Sequence, residues 1–106
     1  MKTYDLYGAS EIGPIELRDR VQELLGIEFE ERDSSYRGAY YRAGDLRGEH
    51  LVVLANGPED EPDEMAEPDF PDKRVLLEVN GTERAEPLRE VLSKIPELML
   101  LRSKNV

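Results

Sequence analysis

The sequence predicts an α+β domain, in which an antiparallel or mixed sheet of four to six strands carries two helices packed on one face. Two stretches repeat apolar residues at helical spacing, and several short β-prone runs end at glycine or at asparagine–glycine. The 106 residues suffice for one domain with a single core. We therefore expect residues 1–106 to form a single domain.

The first part of the chain predicts a strand followed by a helix. Thr3–Ala9 places aromatic and aliphatic residues on alternating faces, as a strand does. Pro14 suits the first position of a helix, and Gly26 suits its end. The apolar stripe of this helix consists of Leu17, Val21, Leu24 and Leu25. Ile27 and Phe29 alternate with glutamates, which predicts a short strand or extended segment.

A hairpin is predicted in the middle of the chain. Tyr36–Ala43 forms its first strand, Gly44–Gly48 its turn and Glu49–Asn56 its second strand. The second strand contains the uninterrupted apolar run Leu51–Leu54. Such a run is typical of a strand that is buried on both faces.

The last third of the chain predicts a strand, a helix and a final strand. Arg74–Val79 is the strand, and Thr82 is placed to cap the following helix. The apolar stripe of that helix consists of Leu88, Val91, Leu92 and Ile95. Leu98–Leu101 is predicted as the last strand and Arg102–Val106 as a polar tail. With βαβ-like ends, this order predicts a ferredoxin-like variant with an added strand.

The composition excludes several kinds of chemistry. The chain has no cysteine and one histidine, His50, which excludes disulfides, cysteine-ligated metals, cysteine nucleophiles and a multi-histidine centre. No phosphate-binding glycine motif and no serine nucleophile motif is present. We therefore predict no enzyme activity, no cofactor and no metal, and we expect His50 to be a structural histidine.

Negative charge is concentrated in one segment. Eight acidic residues and no basic residue lie between Glu59 and Asp72, and they account for eight of the ten net negative charges of the chain. Prolines at 58, 62, 68 and 71 oppose a helix or a central strand there. The sequence predicts an exposed, extended, partly mobile acidic loop over residues 57–72. The eight residues, named here the acidic segment, are Glu59, Asp60, Glu61, Asp63, Glu64, Glu67, Asp69 and Asp72.

The acidic segment predicts a protein partner with a basic surface. Phosphate-backbone binding needs lysine and arginine, so the net charge argues against a nucleic acid partner. No segment has the ~18–20 apolar residues of a membrane span, and the first residues do not resemble a signal peptide, so we expect a cytoplasmic protein without membrane contact. Tyrosine and arginine are enriched at binding hot spots, which adds three candidate contact residues to the acidic segment: Tyr36, Arg37 and Tyr40.

The stretches Asp33–Tyr41, Gly48–Asn56, Phe70–Leu77 and Asn80–Thr82 resemble those of small acidic bacterial immunity proteins of polymorphic or contact-dependent toxin systems. The similarity lies in size, acidity and strand layout over most of the chain. It implies a protein that binds the toxin domain of its own lineage and blocks its active site. The acidic segment adds the expectation that this domain is basic and of the nuclease type, because basic surfaces are common on enzymes that cut nucleic acids.

Two other functions stay open at this stage. The chain is alternatively a small ligand-binding or regulatory α+β module whose acidic loop is only a solvated connector. A pocket with convergent polar groups would favour this module. A stand-alone enzyme is the third hypothesis, and a pocket that contains His50 and two carboxylates would revive it.

Overall fold

The computed structural model describes residues 1–34, 38–57 and 65–106, and these residues form six strands and two helices. The helices are α1 (Pro14–Leu25) and α2 (Ala85–Leu92), and neither is long and apolar enough to cross a membrane. The strands are β1 (Thr3–Ala9), β2 (Glu30–Ser34), β3 (Gly38–Gly44), β4 (His50–Ala55), β5 (Val75–Thr82) and β6 (Met99–Asn105).

The strands form one antiparallel sheet in the order β2-β3-β4-β5-β1-β6. This confirms the predicted α+β class. β1 lies between β5 and β6, so the two strands that α2 connects are parallel to each other and separated by one strand. The description of the fold as a ferredoxin-like variant stays a prediction.

Both helices pack on the same face of the sheet. Leu17 and Val21 of α1 and Leu88 and Leu92 of α2 are almost fully buried in one cluster with inward residues of β1, β3, β4 and β5. The predicted stripes therefore mark the faces that the helices bury. Burial of each of these side chains contributes roughly 1.5–3 kcal/mol.

The opposite face of the sheet, named here the open face, carries a second apolar cluster. It consists of Leu6, Val52, Leu54 and Leu76. Because Leu51–Leu54 are all buried, the prediction of a strand buried on both faces is confirmed. Residues 65–73 cover part of the open face, where Phe70 packs on the cluster and Met65 is 6% exposed.

The predicted extended conformation of residues 57–72 is wrong for the part that the structure describes. Within it, the chain makes tight turns, in which the Phe70 amide donates to Glu67 O and the Lys73 amide donates to Phe70 O. The physical reason is the second apolar face of the sheet, which must be shielded from water. Phe70 packs on this face, and Met65, the other large apolar residue of the loop, is buried.

Three smaller predictions need correction. The strand expected around Ile27 begins at Glu30. Thr82 belongs to β5 and is not the N-cap of α2, because that position is held by Arg84. The Thr82 hydroxyl accepts from the Arg84 amide (3.0 Å) and donates to Glu49 Oε1 (2.6 Å). The expected polar tail Arg102–Val106 is wrong, since β6 continues to Asn105 and pairs with β1 along its length.

The turn between β3 and β4 depends on one glycine. Gly44 has φ of 97°, and a Cβ there would lie 2.5 Å from Glu49 O. We therefore expect Gly44→Ala to lower the free energy of unfolding by about 2 kcal/mol or more, measured by urea denaturation. Gly48→Ala, at the other end of the turn, is the matched control because a Cβ there meets nothing within 4 Å. Equal effects of the two substitutions would contradict this explanation.

Candidate functional site

The open face brings polar residues of three adjacent strands together beside the apolar cluster. Register places Glu78 of β5, Leu6 of β1 and Arg102 of β6 in one row across the sheet. In the next row, Tyr4 of β1 lies opposite Lys104 of β6. The side chains of both rows leave the sheet on the same face, because residues two apart in a strand share a face.

These rows line a pocket of about 360 Å³. Leu6, which is 6% exposed, lies at its base. Glu67 closes one side, where Arg102 Nη2 donates to Glu67 Oε1 at 2.7 Å. The pocket therefore contains a residue of the acidic segment that is fixed to the sheet by an ion pair.

Asn56 fastens the end of the acidic segment to the sheet. This residue is fully buried at the end of β4, and its Nδ2 donates to Phe70 O at 2.9 Å and to Lys73 O at 2.8 Å. Its Oδ1 accepts from the Glu67 amide at 2.8 Å. The main chain of Asn56 adds a bond to Arg74 O and one from the Ala66 amide. One buried side chain thus sets the path of residues 66–74.

The structure describes three of the eight residues of the acidic segment. Glu67 is paired with Arg102, whereas Asp69 and Asp72 are exposed, the latter 3.3 Å from Lys73 Nζ. The other five, which are Glu59, Asp60, Glu61, Asp63 and Glu64, lie outside the described residues.

Of the three predicted contact residues on β3 and before it, the structure describes Tyr40. It packs against the apolar cluster of the open face, as Phe70 does, whereas Tyr41 lies in the cluster on the helix side. Tyr36 and Arg37 lie outside the described residues. The structure therefore brings Tyr40 and the described part of the acidic segment to the same face.

His50 is held by neighbouring strand and turn residues. Its Nδ1 lies 3.1 Å from Gly48 O, and its Nε2 lies 3.4 Å from Asn80 Nδ2. Asn80 Nδ2 in turn donates to Glu78 Oε1 at 3.2 Å. The pocket includes the carboxylates of Glu67 and Glu78, but His50 is not one of its lining residues. An enzyme would be favoured by a pocket that contains His50 together with two carboxylates, and this pocket has the two carboxylates without His50.

A buried ion pair lies on the helix side of the same strands. Arg89 of α2 donates to both carboxylate oxygens of Asp5 at 2.8 and 2.9 Å and to the Ser103 hydroxyl oxygen at 2.8 Å. Burial raises the pKa of Asp5, but hydrogen bonds from Arg89 and Ser103 outweigh it and hold the pKa below its usual value. Burial, reinforced by the charge of Asp5, raises the pKa of Tyr7 to about 12.

A second ion pair joins the β3–β4 turn to the start of α2. Arg84 donates to both carboxylate oxygens of Glu49, and Thr82 donates to one of them. These hydrogen bonds, Arg84 first, lower the pKa of Glu49 against the opposing effect of burial. This cluster fixes the connection into α2, and none of its three residues lines the pocket on the open face.

Among the described residues, no group of three or more histidine, cysteine or acidic side chains is arranged to hold a metal ion. No model of a known protein family and no curated protein matches this chain.

The sequence does not predict the residues that build the pocket or the residue that attaches the acidic segment. It predicts Tyr4 only as part of a strand, Arg102 and Lys104 only as part of a polar tail, and Asn56 only as a strand end. Residues 101–105 contain one apolar residue followed by four polar ones, so they show no alternation that predicts a strand. An edge strand that buries little does not need such a pattern.

Proposed function

We propose that this protein is a cytoplasmic inhibitor that binds a cognate protein with a basic surface, in the manner of an immunity protein that neutralises a nuclease-type toxin domain. The observation that carries the proposal is the acidic segment together with its attachment. Eight carboxylates lie within 14 residues of sequence, and contacts of Asn56 and Phe70 attach the end of that stretch to the sheet.

Fixed charge is more useful for recognition than charge on a freely moving chain. Ordering a segment at binding costs conformational entropy, and the described end of the acidic segment, which holds Glu67, Asp69 and Asp72, avoids part of that cost because it is already attached. Opposite charge on the partner speeds the encounter above the ~10⁵–10⁶ M⁻¹s⁻¹ of an unsteered pair. The acidic segment acts over a Debye length of about 8 Å at physiological salt.

A nuclease that binds phosphate through lysine and arginine presents the basic surface that such a segment fits. A protein that covers that surface with carboxylates competes with the nucleic acid backbone. Tyr40 lies on the same face as the attached end of the segment and is a candidate apolar anchor. Under this proposal, inhibition requires tight binding, and this chain need not catalyse any reaction.

The test of this function is co-expression with the product of the neighbouring gene, followed by affinity measurements across a salt series. We expect co-purification, inhibition of the partner's nuclease activity at equimolar ratio, and an association rate that falls as salt rises. An affinity that is absent, or an association rate that does not change with salt, would overturn the proposed electrostatic mechanism.

Five amide substitutions test the acidic segment directly. We expect the association rate constant at low salt to fall at least about tenfold when the five residues between Gly57 and Met65 are neutralised, because steering depends on local charge. A control with the same net charge neutralises five exposed glutamates elsewhere and is expected to change the rate less than about twofold. The control residues are Glu11, Glu23, Glu28, Glu83 and Glu90. Equal association rate constants for the two variants would show that the acidic segment does not steer the encounter with the partner.

The alternative function is a small ligand-binding or regulatory module. The pocket on the open face is the specific observation that favours it, because it is polar, concave and about 360 Å³ in volume. In this alternative, the acidic segment is a solvated connector, and the five amide substitutions leave the physiological effect of the protein unchanged.

A further inference from the structure

We propose that this protein associates head to tail with further copies of itself, through pairing of β6 of one copy with β2 of the next. This goes beyond the proposed function, because it concerns the two edges of the sheet and requires no basic partner. Three properties of the edge strands support it: their unpaired backbone groups, their directions and their opposite charges.

The strands β2 and β6 form the two edges of the sheet, and within the described ranges no strand pairs with the outer side of either. All residues of β6 except Leu101 are exposed, and so are residues Glu30–Asp33 of β2. An edge strand presents a row of unpaired N–H and C=O groups to which another strand can bind. Both edges are therefore open to pairing.

The hydrogen bonds between β1 and β6 show which backbone groups of β6 point outward. Lys2 and Val106 exchange backbone hydrogen bonds of 3.1 and 2.8 Å, so they form a hydrogen-bonded pair. Lys104 lies two residues before Val106 and therefore also bonds towards β1. The N–H and C=O groups of Ser103 and Asn105 alternate with these and point away from β1. These outward groups are available to a further strand.

The directions of the two edge strands permit a continuous sheet. All pairings are antiparallel and the sheet has six strands, so β2 and β6 run in opposite directions. A second copy that is shifted sideways in the plane of the sheet brings its β2 next to β6 in antiparallel orientation. Its helices then stay on the same face as those of the first copy, and the fold of neither copy changes.

The two edges carry opposite charge. β2 has three acidic residues and one arginine, whereas β6 has Arg102 and Lys104 and no acidic residue. Opposite charges on neighbouring strands stabilise their pairing, and like charges directly opposite each other destabilise it. Two β6 strands paired about a twofold axis would bring like charges together, and so would two β2 strands. The charges therefore select the β6–β2 contact over either twofold contact.

An added strand also covers apolar surface at the start of β6. The side chains of Met99 and Leu100 are 56% and 40% exposed, and a strand beside β6 would shield part of them from water. The net charge of −10 opposes the approach of two copies at low salt. At physiological salt, charges separated by more than about 8 Å are largely screened, whereas direct contacts between opposite charges persist.

Sedimentation equilibrium of the full chain at physiological salt tests the association. We expect the weight-average mass to rise with concentration, with a Kd of about 0.3 mM or tighter. The mass should pass beyond that of a dimer near 1 mM protein (~1 mM), because a head-to-tail contact leaves one open edge at each end. A monomer at all concentrations would overturn the proposal. A mass that stops at the dimer would overturn it as well, because it would indicate a twofold contact.

Two charge variants, each of which leaves one edge intact, identify the strands that meet. Lys104→Glu removes the excess positive charge of β6, and Glu30→Lys with Glu31→Lys makes β2 basic. Each variant by itself is expected to associate at least about tenfold more weakly than wild type. An equimolar mixture brings one intact β6 to one intact β2, so it should form dimers and no larger species.

Matched controls make the same changes of charge away from the sheet edges. They are Lys94→Glu and the double substitution Glu23→Lys with Glu90→Lys, all at exposed positions, and they should associate as wild type does. If the controls weaken association as much as the edge variants, net charge and not the edges is responsible. If the β2 variant alone associates as wild type does, β2 takes no part in the contact and the proposal is wrong.

Asn105→Pro tests the outward backbone of β6. Proline removes the outward N–H at this position, whereas the bonds of Lys104 and Val106 to β1 stay. Asn105→Ala is the matched control, because it loses the same side-chain hydrogen bond to Thr3 but keeps the N–H. We expect the proline variant to associate at least about tenfold more weakly and the alanine variant to stay within about twofold of wild type.

Equal association of these two Asn105 variants would show that the outer side of β6 is not the contact. Circular dichroism of both variants establishes that they are folded, and the mixing experiment decides if the proline variant is not. All of these variants leave the acidic segment unchanged. Failure of self-association therefore does not bear on binding to a basic partner, and the two proposals fail independently.

Discussion

Arg89→Met is expected to lower the free energy of unfolding by roughly 3–5 kcal/mol, because it leaves the Asp5 carboxylate buried without its partner. Asp5 is 3% exposed, and the guanidinium of Arg89 contacts both of its carboxylate oxygens. An isolated carboxylate in such surroundings must either bind a proton or open the structure to water. Urea denaturation followed by circular dichroism measures the loss.

An exposed ion pair provides the control. Arg32 and Glu30 on β2 lie 2.9 Å apart with side chains 45% and 70% exposed, so Arg32→Met should change stability by no more than about 0.5–1 kcal/mol. The double substitution Asp5→Leu with Arg89→Met removes both charges and should recover most of the stability, since apolar residues replace buried ion pairs at little cost. Equal losses in the single and double variants would show that packing, and not the unpaired charge, is decisive.

The same ion pair predicts a pH dependence. The pKa of Asp5 is below its unfolded value of 3.8 because the hydrogen bonds from Arg89 and Ser103 outweigh burial. A carboxyl group whose pKa is depressed by folding stabilises the fold above its unfolded pKa, and this contribution is lost as pH falls through the folded value. Below about pH 4, the wild-type protein should therefore lose more stability than the Asp5→Asn variant, as urea denaturation at each pH will measure.

The fold class was predictable because its strongest signals are local. Pro14 and Gly26 mark the limits of α1, and the structure begins this helix at Pro14 and gives Gly26 a left-handed conformation with φ of 65°. The period of apolar residues identifies the helix faces, and Thr3–Ala9 matches β1 at both ends. These features depend on neighbours in sequence, which a sequence displays directly.

The pocket and the attachment of the acidic segment were not predictable in this way. The pocket depends on β1 lying between β5 and β6, so that Glu78 and Arg102 share a row although they are 24 positions apart in sequence. An asparagine before a glycine is also the ordinary composition of a turn. Nothing local distinguishes Asn56 from such a residue, because its hydrogen-bond partners lie 11 to 17 residues further along the chain.

Asn56→Ala is expected to lower the free energy of unfolding by about 3 kcal/mol. The substitution removes three hydrogen bonds and leaves Lys73 O and the Glu67 amide without their Asn56 partner beside a fully buried position, each at a cost of about 1–3 kcal/mol when water cannot reach them, whereas Phe70 O keeps its bond from the Lys73 amide. Residues 66–74 are expected to move away from the open face, because Asn56 sets their path. Urea denaturation measures the stability, and hydrogen exchange of the Glu67 amide measures the local release.

Asn105→Ala is the matched control, because Asn105 makes one exposed hydrogen bond to Thr3 and should cost no more than about 0.5 kcal/mol. The two readouts separate the roles of Asn56. Lost stability with unchanged protection of the Glu67 amide would mean that Asn56 supports the core but does not hold the acidic segment. Faster exchange at Glu67 together with slower association with a basic partner would link the attachment of the segment to recognition. If neither stability nor exchange changes, apolar contacts such as that of Phe70 keep the loop on the sheet, and Asn56 does not set its path.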